Sequence, residues 1–314
     1  MEPNPMTRLP AWLAVPAAAL AVALNTVVHV VPLLLVALVK AALPWRAARR
    51  RLDWLLMAIA QSWIGINSGL IDGLTRTRFE VAVEAALRPD GHYLVLANHQ
   101  SWVDIPVLQK VFNRRIPLLR FFLKRQLIWV PLLGLAWWAL DFPFMRRYTR
   151  AQLARRPELA GRDIAATRRA CARFADIPVA IMNFVEGTRF TGAKHDSQGS
   201  PYRHLLRPKS GGAAFVIDAM GSGLHAVLDV TLVYPGGAPS LADLFANRVR
   251  QVHVHVRELP IPAELAQGDY QGDPGYRARF QDWINAIWLA KDARIAAVLE
   301  HPVQGGDAGL SAPR

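Results

Sequence analysis

The chain has 314 residues and one cysteine, Cys171, which excludes an internal disulfide and a cysteine-built zinc site and gives no sign of an oxidising compartment. Cys171 reads as a small helix residue, not a nucleophile. Acidic side chains are also few: 24 Asp and Glu stand against 37 Lys and Arg, for a formal charge of +13. The expected partners are therefore anionic, either nucleic acid or an acidic lipid surface. Specific nucleic-acid binding is disfavoured by the lack of a zinc spacing, an RNP-like aromatic strand or a helix-turn-helix pattern. No Gly-x-Ser-x-Gly elbow is present, which argues against a serine hydrolase. No repeat is visible. Charge is missing altogether from residues 9 to 39.

That uncharged run is long enough to cross a hydrocarbon core of about 30 Å and too long for a signal-peptide core. Asn25, Thr26 and His29 interrupt it with polar groups, and Pro10, Pro16 and Pro32 are expected to disturb a helix. Arg46, Arg49, Arg50 and Arg51 follow. A single span would place this cluster, and the body behind it, on the cytoplasmic side. A second uncharged stretch, Trp54 to Ile71, lies between Asp53 and Asp72. It reads as a second span, an interfacial helix or a helix packed on the first. Two candidate spans are too few for a transporter. Residues 1–73 are accordingly expected to form a membrane-anchoring helical segment.

Residues 74–300 read as an α/β body. Arg76 to Val83, Tyr93 to Ala97, Ile116 to Leu123, Asp141 to Met145, Ile177 to Phe184 and Ala226 to Tyr234 are expected strands. Val252, Val254 and Val256 alternate with His253 and His255 in another, with both imidazoles on one face. Two such histidines can ligate a metal, but a third ligand is lacking, so no metal is expected. Asp104 to Val111, the arginine-rich Thr149 to Ala175, Ala213 to Met220 and Tyr276 to Ala293 read as helices. Leu127 to Leu140, with Trp129, Trp137 and Trp138, fits either a core helix or a surface that meets lipid. Thr191 to Arg203 reads as a mobile polar loop, and residues 301–314 as a disordered tail. The expected fold is a mixed, mostly parallel sheet flanked by helices and preceded by two membrane-associated helices.

The chemistry concentrates at Asn98-His99-Gln100-Ser101-Trp102-Val103-Asp104, directly after an apolar strand. A turn can bring the Asp104 carboxylate to the His99 imidazole, fixing its tautomer and leaving its other nitrogen to take a proton from a hydroxyl. The competing reading is a loop histidine followed by a helix-capping aspartate. Phe184-Val185-Glu186-Gly187-Thr188-Arg189 also follows a strand, so both blocks are expected over one crevice.

These blocks, in order with Lys124-Arg125-Gln126-Leu127 (then Pro131 and Gly134) and Pro208-Lys209-Ser210-Gly211-Gly212, resemble the PlsC-like glycerolipid acyltransferase family. The resemblance covers roughly residues 90 to 235. The fourth block, Leu206 to Gly212, is closest to the YihG and lysocardiolipin-type subgroup. The resemblance implies acyl transfer from an acyl-CoA or acyl-ACP thioester to the free hydroxyl of a lysophospholipid, without a bound cofactor. Lysophosphatidate, 1-acylglycerol-3-phosphate, is the default acceptor. Another anionic lysophospholipid, lysophosphatidylglycerol or lysocardiolipin, is the alternative. His99 and Asp104 are then the catalytic pair. Arg189 is the leading phosphate ligand, ahead of Lys124, Arg146 and Lys209, because guanidinium matches phosphate with two prongs. An ion pair with Glu186 is the structural alternative for Arg189. Asn98, Ser101, Glu186, Gly187, Thr188, Gly211 and Gly212 are expected to shape the site. The implied location is the bacterial inner membrane, with anionic lipids as partners. A noncatalytic scaffold for anionic lipid is the competing class.

Overall fold

The computed structural model describes residues 9–145, 155, 177–270 and 272–300. The Thr149–Ala175 helix, Cys171, Arg146 and the 301–314 tail lie outside the described residues.

Two long helices open the chain: α1 (Ala11–Ala42) and α2 (Arg46–Leu74). Both are long and apolar enough to cross a membrane. Helix α1 starts after Pro10 and continues through Pro16 and Pro32, against the expected breaks. Pro44 lies in the reversal between the helices, where a missing donor costs little. The two helices then run antiparallel along a polar seam set in apolar surroundings. Asn25 Nδ2 donates to Asn67 Oδ1 at 2.8 Å and to the Trp63 carbonyl, while Trp63 Nε1 donates to Thr26 Oγ1 at 3.1 Å. His29 Nε2 lies 3.1 Å from Ser62 Oγ. Polar groups that pair across helices satisfy each other where lipid cannot.

The hairpin does not stand apart from the body. Lys110 pairs with Asp72 at 2.5 Å, and Asn113 Nδ2 donates to the Gln61 carbonyl. At the reversal, Lys40 pairs with Asp53 and reaches Asp141. One side of the hairpin joins the hydrophobic core through Val30, Leu33, Leu56 and Ile64. Its other side leaves Trp12, Leu20, Leu24 and Leu38 exposed. Helix α2 ends at Leu74.

The body contains β1 (Arg78–Glu84), β2 (His92–Ala97), α3 (Asp104–Phe112), β3 (Leu119–Phe121), β4 (Leu123–Lys124), α4 (Leu133–Ala139) and β5 (Phe144–Met145). Then come β6 (Val179–Phe184), α5 (Gly192–Gln198), α6 (Gly211–Met220), β7 (Ala226–Val233), α7 (Leu241–Phe245), β8 (Gln251–Leu259) and α8 (Pro274–Glu300). A six-stranded sheet runs β1-β8-β7-β2-β6-β3. Strands β7, β2, β6 and β3 are parallel; β8 pairs antiparallel with β7 and parallel with β1. Strand β2 is flanked on both sides, so Tyr93 to Ala97 are all buried, as their unbroken apolar run implies.

Local detail departs from expectation in places. The run from Ile116 to Leu123 gives only short β3, because Lys124 and Leu123 leave to pair β4 with β5. Leu127 to Leu140 splits into a 3-10 turn over Arg125–Trp129 and α4. At their junction a Cβ on Gly134 would sit 2.0 Å from the Ile128 carbonyl oxygen, so only glycine fits. The expected loop from Thr191 contains α5, whose first turn is capped by the Thr191 hydroxyl. His253 and His255 share a face, where they meet Glu80 and Glu84 of β1 at 3.1 and 2.7 Å.

One core feature had no counterpart in the expectations. Asp229, in fully buried β7, pairs with Arg257 of β8 and with Lys291 of α8, both at 2.6 Å. Lys291 also donates to the Val230 carbonyl. Burial pushes the Lys291 ammonium down, and Asp229 opposes that shift. A charge this deep persists only because it is paired.

Candidate active site

Strands β2 and β6 are hydrogen-bonded neighbours in parallel register, Ala97 opposite Phe184. Their carboxyl ends therefore deliver His99 and Glu186–Arg189 to the same edge of the sheet. Asn98 fixes the exit from β2. Its side chain both donates to the Leu232 carbonyl and accepts from the Leu232 N–H, each at 2.9 Å, replacing two ladder bonds between β2 and β7. The chain then turns. Ser101 Oγ donates to the Pro239 carbonyl and accepts from Val103 N–H, tying the turn to the segment after β7.

This turn brings Asp104, the first residue of α3, back to His99. Asp104 Oδ2 lies 2.7 Å from His99 Nδ1 and accepts the backbone N–H groups of Gln100 and Ser101 at 2.7 and 2.9 Å. Its Oδ1 accepts the Tyr234 hydroxyl at 2.7 Å. Both oxygens are satisfied, at a helix N-terminus that favours negative charge. Asp104 is wholly buried, whereas the His99 side chain retains 15% exposure. Asp104 as hydrogen-bond acceptor fixes the proton on Nδ1, and Nε2 has no hydrogen-bond partner among the described residues. The imidazole lies flat on Phe184, with ring centres 3.9 Å apart and planes 12° apart. Burial, together with the Asp104 charge, pushes the Tyr234 phenol far up, so it remains a donor. The structure thus pairs His99 with Asp104 and shows no side-chain cap on α3 from the preceding residue.

The β6 end is built as a tight turn around Gly187, which adopts φ 71° and donates to the Phe184 carbonyl at 2.8 Å. Phe190 N–H donates to the His99 carbonyl at 2.7 Å, binding the two blocks to each other. Glu186 points inward. Its Oε1 accepts from His99 N–H at 3.4 Å, and its Oε2 is buried without a hydrogen-bond partner among the described residues. Burial pushes its carboxyl up to about 8; the His99 and Leu206 N–H groups and the Lys291 charge offset only part of that. Near neutrality Glu186 is mostly a neutral acid within the loop's foundation.

Arg189 turns the other way. Its guanidinium lies over the Trp102 ring, 4.6 Å from the ring centre, and no ion pair with Glu186 occurs among the described residues. Thr188 Oγ1 accepts a bond from Lys194 Nζ at 2.9 Å. The fourth block is tied in by Lys209 N–H, which donates to the Val185 carbonyl at 2.9 Å. Gly211 and Gly212 open α6. A Cβ on Gly212 would come within 2.8 Å of Asn183 Nδ2, one residue before Phe184. The Lys209 and Lys124 side chains are exposed, and among the described residues neither side chain bonds or ion-pairs with the dyad or the Arg189 loop. Arg146 lies outside the described residues. The structure therefore unites His99, Asp104, Asn98, Ser101, Glu186, Gly187, Thr188 and Arg189 directly, with Gly211 and Gly212 alongside. Sequence reasoning missed Tyr234, Phe184, Trp102 and Lys194. Trp102 and Phe184 lay in view within the His–Asp and Glu–Arg blocks, and Tyr234 and Lys194 carried no local signal.

The structure thus sets a His–Asp pair and, among the described residues, an arginine without a carboxylate partner beyond the ends of adjacent parallel strands of an α/β sheet. A family model described as "Acyltransferase" matches residues 78–235, half of the chain, and the chain belongs to that family, with the fold of a PlsC-like glycerolipid acyltransferase. The 1-acyl-sn-glycerol-3-phosphate acyltransferase gamma of Mus musculus is 26% identical over 216 residues, covering 64% of this chain and 52% of the relative. Lysocardiolipin acyltransferase 1 of Gallus gallus is 22% identical over 263 residues, covering 79% of this chain and 64% of the relative. The chain thus spans about half to two thirds of the length of these curated relatives. The crystal structure of the 1-acyl-sn-glycerophosphate acyltransferase PlsC from Thermotoga maritima superposes with TM-score 0.53 at 15% identity, covering 95% of this chain and all of that one.

Proposed function

We propose that the protein is a membrane-bound O-acyltransferase that moves an acyl group from an acyl-CoA or acyl-ACP thioester to the free hydroxyl of a lysophospholipid, with 1-acylglycerol-3-phosphate as the acceptor. The observation that carries this reading is the dyad: Nδ1 held by Asp104 at 2.7 Å and Nε2 left for a hydroxyl. His99 Nε2 takes the hydroxyl proton as the oxygen attacks the thioester carbonyl. The tetrahedral intermediate then breaks its C–S bond, and the departing sulfur takes the proton back from the imidazolium. Asp104 stabilises that imidazolium, a role its position suits. A thiolate is a good leaving group, so no acyl-enzyme is needed.

Arg189 binds the acceptor phosphate, because its charge is not neutralised by Glu186 and guanidinium pairs with phosphate in bidentate fashion. Lys209 and Lys124 lie on the surface, where they attract anionic lipid. The hairpin α1–α2 holds the body on a bacterial inner membrane, where the arginines at its reversal attract anionic headgroups.

The test is thiol release from acyl-CoA by detergent-solubilised protein with a panel of lyso-lipids, each product identified by mass, with acyl-ACP as the second donor. Acceptor-dependent release with the matching diacyl product, lost in His99→Ala, supports the reading and names the headgroup. Acidic-vesicle binding without release from either donor defeats it in favour of a scaffold.

A further inference from the structure

Arg189 is the residue on which acceptor recognition turns in the proposed function, yet it lacks the support such a residue usually has. No carboxylate holds its guanidinium among the described residues, and the adjacent Glu186 is turned into the interior. What it has instead is an aromatic face and a strap. Trp102, 55% exposed, presents its ring to the guanidinium at 4.6 Å. Lys194, in the first turn of α5, donates from Nζ to Thr188 Oγ1 and to the Arg189 carbonyl, both at 2.9 Å. The base of α5 is fixed by its Thr191 cap, and Phe190 N–H is fixed to the His99 carbonyl. The backbone of Thr188–Phe190 is thus held from both ends.

We infer that Trp102 and Lys194 are positioning residues for the acceptor phosphate: Trp102 holds the Arg189 guanidinium by its π face, and Lys194 fixes the backbone from which it projects. This inference rests on Arg189 binding that phosphate. An aromatic support has a chemical advantage over a carboxylate. A carboxylate would consume the guanidinium's in-plane donors and cancel its charge, whereas a ring contacts only the face and leaves the fork and the charge for an anion. The support also comes from the His99–Asp104 block itself. Trp102 lies three residues after the base, so the group that places the phosphate is covalently tied to the group that takes the proton. Lys194 Nζ has three donors, and the third remains for a phosphate oxygen beside Arg189.

The experiment compares KM and kcat for lysophosphatidate, and the ratio of kcat/KM between lysophosphatidate and an uncharged monoacylglycerol, in the full chain. Trp102→Leu is expected to raise the lysophosphatidate KM about 2–5-fold, the worth of an exposed cation–π contact, with a smaller change in kcat. Trp102→Phe, which keeps a π face, recovers most of the loss. Lys194→Met shifts the ratio in the same direction, and Lys194→Arg recovers part of it. In an Arg189→Ala background Trp102→Leu adds nothing further, because the group it supports is gone. Trp102 is exposed, so these changes leave folding intact, which circular dichroism checks. If Arg189→Ala leaves the lysophosphatidate KM unchanged, the phosphate reading fails and this inference falls with it. If Arg189→Ala raises KM while Trp102→Leu does not, or if Trp102→Leu acts equally on both acceptors, the positioning role alone is overturned.

Discussion

His99 and Asp104 carry the sharpest expectations at the scale of single residues. His99→Ala should lower transfer about 10²–10⁴-fold, the usual worth of a general base, with the protein still folded and sedimenting with membranes. Asp104→Asn replaces the acceptor at Nδ1 with a group that can present a donor, so turnover should fall even though the side chain keeps its size. Tyr234→Phe leaves a buried Asp104 oxygen unpaired and should cost about 1–3 kcal/mol, read as a lower denaturant midpoint. Glu186 predicts a pH dependence of stability. Its folded value of about 8 lies above the ordinary 4.5, so the folded state binds more protons across that interval. The stability it contributes is full below 4.5 and is lost as pH rises toward 8. Glu186→Gln should flatten that slope in denaturation series run across this range; an unchanged slope would mean that another group supplies it. The dyad was legible because a strand, a turn and five residues of spacing constrain where Asp104 can go. Tyr234 was not legible, because it reaches Asp104 from 130 residues away through sheet order.

Among the elements, the sheet explains why the motif blocks meet. The mainly apolar runs of β2, β6 and β7 announced buried parallel strands, and their shared carboxyl-end edge follows from that parallel pairing. Short elements were less legible. Strands β3, β4 and β5 are set by tertiary pairing, and α5 depends on one threonine cap that a Gly- and Ser-containing segment disguises. The Asp229–Lys291–Arg257 group was hidden for a similar reason, since a lone aspartate in an apolar run gives no hint of a lysine on the last helix. Removing one partner of a buried ion pair costs about 3–5 kcal/mol, because the remaining charge stays in place. Lys291→Ala should therefore lower the thermal midpoint well beyond an exposed substitution such as Lys209→Ala, with calorimetry as the check. Asp229 keeps Arg257, which places the expected loss toward the lower end of that range.

At the scale of the whole molecule, charge and greasiness make separable contributions to location. The +13 charge attracts an anionic surface, but salt screens that attraction within about 10 Å at 0.1 M. The exposed apolar side of α1 is indifferent to salt. Washing membranes with concentrated salt should leave the chain in the pellet, and detergent should release it; recovery in the salt wash would show that charge alone holds it. The hairpin's inner side belongs to the same hydrophobic core as Phe184, on which His99 rests. His99 and the hairpin thus share one face of the sheet. A lyso-lipid in the bilayer would meet the base by lateral diffusion, without first partitioning into water. The reaction would then obey two-dimensional kinetics: its rate should follow the mole fraction of acceptor in the surface, and inert lipid added at constant bulk acceptor should slow it by dilution.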